Sequence, residues 1–445
     1  MDSMDRRNFL RKAGAGAVSL AAAGPWVKTG LAKNSPNETI NVAVIGLNNR
    51  GSQHAENFAK MPNVNVALLC DIDENLLPKG AADIEKISGK KPRTEKDLRK
   101  VMEDKEIDVV SVATCNHWHA LATIWACQAG KDVYVEKPCC YNIFEGRKMI
   151  EAARKYKRIV QVGSQNRSGA VVRSAMDFLH QGKLGELYMV KCAIFRPRDT
   201  IGRGKVTAVP PGVHFNLWLG PAPDRPFIDN RFHYNWHWYW DTGNGETGNN
   251  GPHYTDMARW ALQKYDHPRK IQSIGGYYQW DCDQETPNMQ MSVMEYADGK
   301  LVQLEIRGLY TTTEIGMQFY GTEGWMRLGD GKWETYYGRK NDPGESMSDA
   351  QAAEKYQPLN IRGTGDEPHF ENFISAVRSR KKHDLTADIL EGHLSASMCH
   401  LSNIAYRTGR TIYFDSESET IVGDEEAGKL LTREYRYPFI VPDEV

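Results

Sequence analysis

The first part of the chain alternates short apolar runs with amphipathic segments of helical period. The apolar runs cover residues 39–46, 64–70, 107–114, 131–135 and 159–162, and most are rich in valine and isoleucine. Runs of this kind are typical of strands buried on both faces, and segments of about 10–15 residues between them suit helical crossovers. The pattern predicts helices over residues 51–61, 73–88, 117–129 and 143–155. We therefore expect an α/β fold with a doubly wound parallel sheet.

The pattern changes after about residue 185. Longer runs with alternating polar and apolar residues predict strands over residues 186–195, 270–279, 289–296, 300–309 and 314–320. Asp298-Gly299 predicts a hairpin turn between two of them. Helical period returns over 368–380 and 387–408, and the polar segment 345–354 is predicted to be a surface loop. The second part is thus expected to be an α+β domain with a large open antiparallel sheet, whose C-terminal helices pack back on the first domain.

The N-terminal residues carry a different pattern. Arg6-Arg7 is followed by Asn8-Phe9-Leu10 and then by a short stretch rich in alanine and glycine. This order is typical of a twin-arginine export signal, and the stretch is too short for stable membrane insertion. An amphipathic N-terminal helix is the alternative. We expect residues 1–35 to be this signal, residues 36–165 a dinucleotide-binding domain and residues 166–445 a substrate domain, in a periplasmic or otherwise exported protein.

Composition narrows the class of protein. The chain has 445 residues, of which 40% are hydrophobic and 25% charged, as in a globular enzyme. Lysine and arginine number 56 against 57 acidic residues, so no basic excess favours a nucleic-acid partner. The 8 cysteines show no zinc-binding spacing, and we expect buried, reduced thiols.

The segment between the first strand and the first helix has the spacing of a dinucleotide-binding turn. Gly46 permits the tight turn and Gly51 permits close packing of the helix on the strand. Asn48 occupies the position where the usual motif has glycine, and we place it with Arg50 among the cofactor contacts. Asp71 ends the second strand, where a carboxylate accepts a hydrogen bond from a ribose hydroxyl. No arginine follows it, which favours NAD over NADP; a turn that binds nothing is the alternative.

Polar residues follow the other strands of this sheet. Because the carboxyl ends of parallel strands meet at one edge, these side chains are predicted to contact the cofactor. Asn116 is also suited to cap a helix, and Lys137 to form a surface ion pair, so those structural roles stay open. The predicted contacts are Thr114, Asn116, His119, Glu136, Lys137 and Gln165.

With these motifs in view, residues 38–170 resemble the glucose–fructose oxidoreductase, inositol dehydrogenase and rhizopine-catabolism (Gfo/Idh/MocA) family of oxidoreductases. The resemblance rests on the glycine turn, on Thr114, Asn116 and His119, and on Glu136-Lys137-Pro138. It implies a second domain built on an open antiparallel sheet, and homo-oligomers formed through that sheet's open face. It also implies a glycine-rich loop leading to a catalytic histidine.

Residues 245–256 are similar to that loop. His253 falls at the catalytic position, and Asp256 lies one helical turn further on. Asn249 stands where many members of the family have aspartate, so the proton has to be handled by His253, Lys137 or water. A histidine that only caps a helix is the alternative for His253.

The segment 231–241 contains six aromatic residues. Sugar rings stack on aromatic faces, so Tyr234, Trp236 and Trp238 are predicted substrate contacts, together with Arg167, Asn249 and Asp256. Packing between domains is the alternative. His233 and His237 have the spacing of metal ligands on a helix, but no further ligand is evident, and we expect no metal.

These observations predict an NAD(P)-dependent oxidoreductase that acts on a sugar or glycoside. Hydride transfer would join a ring carbinol to a tightly bound nicotinamide, with His253 and Lys137 as catalytic groups. Redox-neutral cleavage of a glycoside, through oxidation, elimination, hydration and re-reduction, is an alternative. A sugar-binding or NAD-sensing protein without activity is an alternative of another class.

Overall fold

The structure, a computed structural model, describes residues 39–312, 314–356 and 366–445. The predicted export signal lies outside these residues. The strands are β1 (Ile40–Ile45), β2 (Val64–Cys70), β3 (Arg93–Glu95), β4 (Val109–Val112), β5 (Asp132–Val135), β6 (Val160–Val162), β7 (Leu187–Phe195), β8 (Lys270–Gly276), β9 (Met289–Glu295), β10 (Leu301–Arg307), β11 (Glu314–Gly321), β12 (Gly324–Gly329), β13 (Lys332–Tyr337), β14 (Asp342–Ser348), β15 (Ile412–Asp415) and β16 (Thr420–Ile421).

The α-helices are interspersed among these strands. They are α1 (Arg50–Ala59), α2 (Leu77–Ser88), α3 (Leu98–Glu103), α4 (Asn116–Gln128), α5 (Ile143–Lys155), α6 (Ala170–His180), α7 (Phe215–Leu219), α8 (Gly245–Asn249), α9 (Gly251–Leu262), α10 (Asp349–Tyr356), α11 (Asp366–Ser379), α12 (Ile389–Thr408) and α13 (Glu425–Gly428). Short 3₁₀ turns connect several of them.

The first sheet has six parallel strands in the order β3-β2-β1-β4-β5-β6. Residues of β1 alternate between two apolar cores. Ala43 and Ile45 pack on the side of α4, whereas Val42 and Val44 pack on the side of α1 and α11. Burial on both faces explains the apolar run Val42–Ile45, and the predicted doubly wound sheet is confirmed.

The second sheet has ten strands in the order β14-β13-β12-β11-β7-β10-β9-β8-β15-β16. It is mixed, because β7 pairs in parallel with β10, while the other neighbouring pairs run antiparallel. The predicted hairpin at Asp298-Gly299 joins β9 to β10. The predicted α+β class with a large sheet is therefore confirmed. The sheet differs from the predicted fully antiparallel one in the single parallel pair β7–β10.

Helices cover one face of the ten-stranded sheet. Met257 of α9 and Met398 of α12 share an apolar core with Val190, Cys192 and Ile194 of β7. The C-terminal helix α11 packs instead against the six-stranded sheet, where Phe370 and Phe373 join the core of β1. The C-terminal helices thus connect both sheets.

The segment 345–354 differs from the predicted surface loop. Its first residues belong to β14 and the remainder to α10. Ala352 is fully buried, and the Tyr356 hydroxyl donates to Asp177 of α6 at 2.5 Å. Packing on a neighbouring helix, rather than local sequence, accounts for this element.

Within the described parts of the chain, no helix is long and apolar enough to cross a membrane.

Candidate active site

A cavity of about 310 Å³ opens at the edge where the parallel strands end. Residues from both sheet regions line it, so that the predicted cofactor and substrate positions share one space. The predicted site residues along its wall are Gly46, Asn48, Arg50, Asp71, Thr114, Asn116, His119, Glu136, Lys137, Gln165, Tyr234, Trp236, Asn249 and His253. Gly51, Arg167, Trp238 and Asp256 are not on the wall.

The turn after β1 leaves no space for side chains at its two glycines. A Cβ on Gly46, whose φ is +85°, would lie 2.7 Å from the Ala113 carbonyl oxygen. A Cβ on Gly51 would lie 1.5 Å from the Gly46 oxygen, so Gly51 allows the helix to pack closely on the turn without lining the cavity. The first turn of α1 therefore comes close to the strand ends, where its free N–H groups suit a pyrophosphate. Such a cradle fits a dinucleotide.

Asp71 lies at the end of β2 and is almost fully buried. Its carboxylate accepts hydrogen bonds from the backbone N–H groups of Leu47 at 2.6 Å and Asp73 at 2.9 Å. Burial is the largest influence and raises the pKa of Asp71, although these two bonds oppose it. Each carboxylate oxygen can accept a further bond, so Asp71 both holds the turn and retains the capacity to bind a ribose hydroxyl.

Glu136 is a buried centre of hydrogen bonds behind the cavity. Its Oε1 accepts from Arg50 Nε at 2.9 Å, from His54 Nε2 at 3.0 Å and from Gln165 Nε2 at 2.9 Å. Burial opposes its charge, but Arg50 and His54 hold the pKa of Glu136 well below its usual range. Arg50 also donates to both carboxylate oxygens of Asp366, at 2.7 and 3.1 Å. Glu136, Arg50 and Gln165 therefore form a fixed wall of the cavity.

Lys137 follows Glu136 and extends toward the loop before α9. Its Nζ donates to the Asn249 backbone oxygen at 2.9 Å and lies 3.3 Å from Asn249 Oδ1. Burial lowers the pKa of Lys137, while Glu136 and Glu246 raise it. Asn249 thus orients the Lys137 ammonium through two neutral oxygen acceptors. An aspartate at this position would instead form an ion pair with the ammonium.

His253 faces the same cavity from the first turn of α9. Its Nδ1 is buried and has no hydrogen-bond partner within the described ranges. Burial, reinforced by the Lys137 ammonium, lowers the pKa of His253 to about 4. The imidazole is therefore neutral near pH 7 and faces the cavity in the form that accepts a proton.

The residues after β4 are held by contacts to neighbouring segments. The N-cap of α4 is Cys115, and Asn116 donates to Asn244 Oδ1 at 2.9 Å, so Asn116 does not cap the helix. The ring nitrogens of His119 lie 2.7 Å from the Pro138 oxygen and 3.0 Å from the Thr114 oxygen. His119 therefore ties the ends of β4 and β5 together.

Arg167 and Asp256 lie away from the cavity wall. Arg167 Nε donates to Asp256 at 2.7 Å, and its Nη2 donates to Glu391 at 3.0 Å. Ser395 supplies a further bond to Asp256. The structure brings these two charges to each other rather than to the substrate space, and we leave both out of the proposed site.

The aromatic segment divides between cavity and core. Tyr234 and Trp236 line the cavity, whereas Trp238 is buried against the Arg198 guanidinium, which is itself bonded to Glu246. We therefore leave Trp238 out of the proposed site as well.

Several cavity residues were absent from the predicted site. His237, considered above only as a metal ligand, lines the cavity together with His233. The two do not share a helix face, because His233 has a φ of +70° and lies before the 3₁₀ turn Asn235–Trp238. His233 pairs with Asp73 at 3.0 Å, and the His237 ring stacks on Trp236 with centroids 3.6 Å apart. The density of aromatic and histidine residues was the sequence signal for this wall. The other such residues are Ile45, Asn49, Cys70, Ile72, Lys96, Asp97, Leu98, Ala113, Cys115, Trp118, Leu217, Trp218 and Phe232.

A second histidine cluster lies elsewhere. His267 and His393 each place Nε2 2.8 Å from Glu419 Oε1, and Arg147 donates to the same carboxylate. These three side chains lie close enough to one another to hold a metal ion. The Glu419 carboxylate, however, already accepts from three donors, one of them a guanidinium, and these bonds account for its burial without a metal.

Known proteins with similar sequences include glycosidases. A "Glycosyl hydrolase family 109 protein" of Shewanella baltica and an "Alpha-N-acetylgalactosaminidase" of Shewanella oneidensis are each 26% identical over 206 residues. The matched stretch covers 42% of this chain and 45% of each relative, so the chain matches less than half of their length.

Solved structures with a similar fold cover most of the chain. The WlbA dehydrogenase of Chromobacterium violaceum, in complex with NADH and UDP-GlcNAcA, has a TM-score of 0.64 at 19% identity and covers 85% of this chain and 96% of its own. Levoglucosan dehydrogenase, in complex with NADH and levoglucosan, has a TM-score of 0.64 at 17% identity and covers 84% and 99%.

Two family models account for most of the sequence. One, described as "Oxidoreductase family, NAD-binding Rossmann fold", matches residues 40–164. The other, described as "Oxidoreductase family, C-terminal alpha/beta domain", matches residues 201–314 and 360–441. The two matched regions contain the glycine turn, Lys137 and His253. The chain belongs to the Gfo/Idh/MocA oxidoreductase family, with an NAD-binding Rossmann domain and a C-terminal α/β domain.

Proposed function

We propose that the protein is an NAD-dependent oxidoreductase that transfers hydride between a ring carbinol of a sugar or glycoside and a tightly held nicotinamide. One observation carries the proposal: a single cavity joins the glycine turn and Asp71 at one end to Lys137 and His253 at the other. A binding or sensing protein has no need of an ammonium and a neutral imidazole facing the same space. When bound, the nicotinamide accepts and returns the hydride.

His253 and Lys137 have complementary roles in this proposal. With a pKa of about 4, His253 is unprotonated near neutral pH and accepts the proton of the carbinol hydroxyl. The Lys137 ammonium, oriented by Asn249, donates to the same oxygen and stabilises its developing negative charge. Asp71 holds a ribose hydroxyl, and the N–H groups at the start of α1 bind the pyrophosphate.

A sugar is the proposed substrate because of the wall opposite Lys137. Tyr234 and Trp236 provide aromatic faces for the apolar side of a pyranose ring, and the nearby polar groups suit its hydroxyls. The sugar ligands named for the structures of similar fold support the same class of substrate.

Redox-neutral glycoside cleavage is the second candidate. The glycosidase names of the Shewanella relatives favour it, and it returns the hydride within each turnover. An exported enzyme would benefit from this, because no free NAD pool is assured outside the cytoplasm. We propose export through the twin-arginine route, on the basis of Arg6-Arg7, since that route carries folded proteins with their cofactors.

We also propose a homo-oligomer formed through the open face of the ten-stranded sheet. Large apolar side chains are exposed on its strands, including Tyr188, Ile274, Val293 and Tyr413. Exposed apolar surface of this kind is typical of contacts between subunits.

The test begins with the purified mature protein. Acid or heat should release NAD, identified by mass spectrometry, in about one equivalent per chain. The intact protein is then mixed with a panel of methyl and p-nitrophenyl glycosides and observed at the NADH absorbance. A lasting rise in NADH absorbance without cleavage supports a dehydrogenase. A transient rise with release of the aglycone supports the redox-neutral hydrolase. No change in NADH absorbance and no cleavage with any glycoside of the panel contradicts both.

A further inference from the structure

A second imidazole in the cavity has no role in hydride transfer. His237 lines the same space as Lys137 and His253, on the aromatic wall. Removing a hydroxyl proton requires a single base, and His253 provides it. A second neutral base in the same cavity as Lys137 is therefore left without a role in hydride transfer.

The hydrogen bonds of His237 define its tautomer. Nδ1 lies 2.6 Å from the Tyr234 backbone oxygen, which only accepts, so Nδ1 carries the proton. Nε2 is then a free lone pair, and it has no hydrogen-bond partner in the part of the chain that the structure describes. Stacking on Trp236 at an interplanar angle of 20° fixes the ring. His237 is thus a rigid, unoccupied base on the cavity wall.

The charges around His237 keep it in the basic form. Burial lowers the pKa of His237 to about 3, and the Lys137 and Arg198 cations add to the effect, opposed by the bond to Tyr234. The same Lys137 ammonium also lowers the pKa of His253, so both imidazoles lie within its electrostatic reach. If Lys137 holds the carbonyl oxygen of an oxidised substrate, the C–H bond on the carbon next to that carbonyl becomes acidic. The negative charge that forms on the substrate when this proton leaves offsets the cost of protonating His237.

We propose that His237 is a second catalytic base, which removes the proton from the ring carbon next to the oxidised carbon. The proposal rests on the proposed function and favours its redox-neutral form. Cleavage at C1 through loss of the C2 proton requires the carbonyl at C3, so this role of His237 requires oxidation at C3.

With C3 as a ketone, His237 Nε2 takes the C2 proton, the electron pair of that bond forms the C1=C2 bond, and the C1–O bond breaks. The departing alkoxide takes a proton from water. The hydroxide left behind adds to C1, and the imidazolium of His237 returns the proton to C2. The sum of these steps is hydrolysis of the glycoside at constant oxidation state, before the C3 ketone is reduced again.

The experiment uses a probe that bypasses the hydride step. The holoenzyme is mixed with methyl 3-keto-glucopyranoside in D₂O, and loss of the C2 proton signal is followed by NMR against a sample without enzyme. His237→Asn retains a donor for the Tyr234 oxygen, and His237→Gln retains the side-chain reach. Both should slow the exchange by roughly 10²–10⁴, the usual contribution of one acid–base group. His383→Asn, a change at an exposed histidine, is the matched control and should exchange at the wild-type rate.

Reduction of bound NAD by carbinol glycosides is measured on the same preparations, with thermal unfolding and NAD content as checks of folding. It should fall by a much smaller factor than the exchange. Wild-type exchange rates in both variants, or no enzyme-dependent exchange in the wild type, would overturn the assignment while leaving hydride transfer intact. Exchange that depends on His237, in an enzyme whose NAD no glycoside reduces, would instead contradict the proposed function and leave His237 as a base.

Discussion

Lys137 and His253 provide the most direct test of the proposed site. If both act on one substrate oxygen, Lys137→Met and His253→Gln should each slow the reduction of bound NAD by roughly 10²–10⁴, equivalent to about 3–5 kcal/mol of barrier. NAD retention should change little, because neither side chain lies at the glycine turn. Lys79→Met, a change at a surface lysine paired with Asp83, is the matched control.

The structure also predicts how the two changes combine. Because the Lys137 ammonium is one cause of the low pKa of His253, Lys137→Met should move that pKa upward from about 4. Because both groups serve one proton transfer, the double variant should lose less than the product of the two single effects. Asn249→Ala removes only the Oδ1 contact to Lys137 and keeps the backbone oxygen, so it should slow the reaction less than Lys137→Met and have no further effect in the Lys137 variant.

The assay is a single turnover with a glycoside found in the panel, followed in stopped flow at several pH values. Equal rates in the wild type and in both single variants would refute the assignment. Strictly multiplicative effects would show that Lys137 and His253 act in separate steps. In the first case the acid–base group would have to be sought at His233 or His237, which also line the cavity.

Four further predictions concern cofactor choice, stability and targeting. Asp71→Ser with Ile72→Arg should shift the ratio of NAD to NADP affinity toward NADP, and an unchanged ratio would show that Asp71 is not the ribose ligand. Glu136→Gln should lower the free energy of unfolding by about 1–3 kcal/mol, because Arg50 and His54 lose a buried carboxylate acceptor while Arg50 keeps Asp366; denaturant titration that shows no loss would contradict this. Burial lowers the pKa values of His369 and His393 from the ordinary value of 6.5 to about 4. Between these two values the unfolded state binds more protons, so the free energy of unfolding should decrease as the pH is lowered from about 6.5 to 4, by roughly 1 kcal/mol per pH unit for each histidine. His393→Gln should flatten the slope of melting temperature against pH, and an unchanged slope would exclude His393 as a source of this dependence. Replacing Arg6 and Arg7 together by lysine should leave the folded protein in the cytoplasm, and normal export in a fractionation experiment would refute the twin-arginine proposal.

The parts of the molecule that sequence predicts are those fixed by local pattern. Alternate residues of β1 enter two cores, so Val42–Ile45 have no polar break, and glycine is required at 46 by its positive φ and at 51 by the nearby Gly46 oxygen. Lys137 could be placed because strand ends of a parallel sheet meet at one edge. The same logic brings Asp71 and Thr114 to the cavity.

Charged side chains are less predictable, because their partners are chosen by tertiary packing. Arg50 lies in a motif that suits a phosphate, yet its guanidinium bonds to Asp366, which is 316 residues away in the chain. Arg167 follows a strand end, as Lys137 does, but packing of α9 and α12 supplies it with Asp256 and Glu391. The sequence marks these positions as polar and does not distinguish a ligand contact from an internal ion pair.

The aromatic segment shows why a predicted wall can include residues that do not reach the cavity. Its composition predicts a wall for a sugar, but the choice among its rings depends on a backbone without a constant period. The 3₁₀ turn Asn235–Trp238 is four residues long, and His233 precedes it in a left-handed conformation. Helical spacing therefore fails: His233 turns to Asp73, Trp238 turns to Arg198, and His237 stays on the cavity wall. The spacing that suggests a pair of metal ligands at His233 and His237 therefore does not describe where their side chains lie.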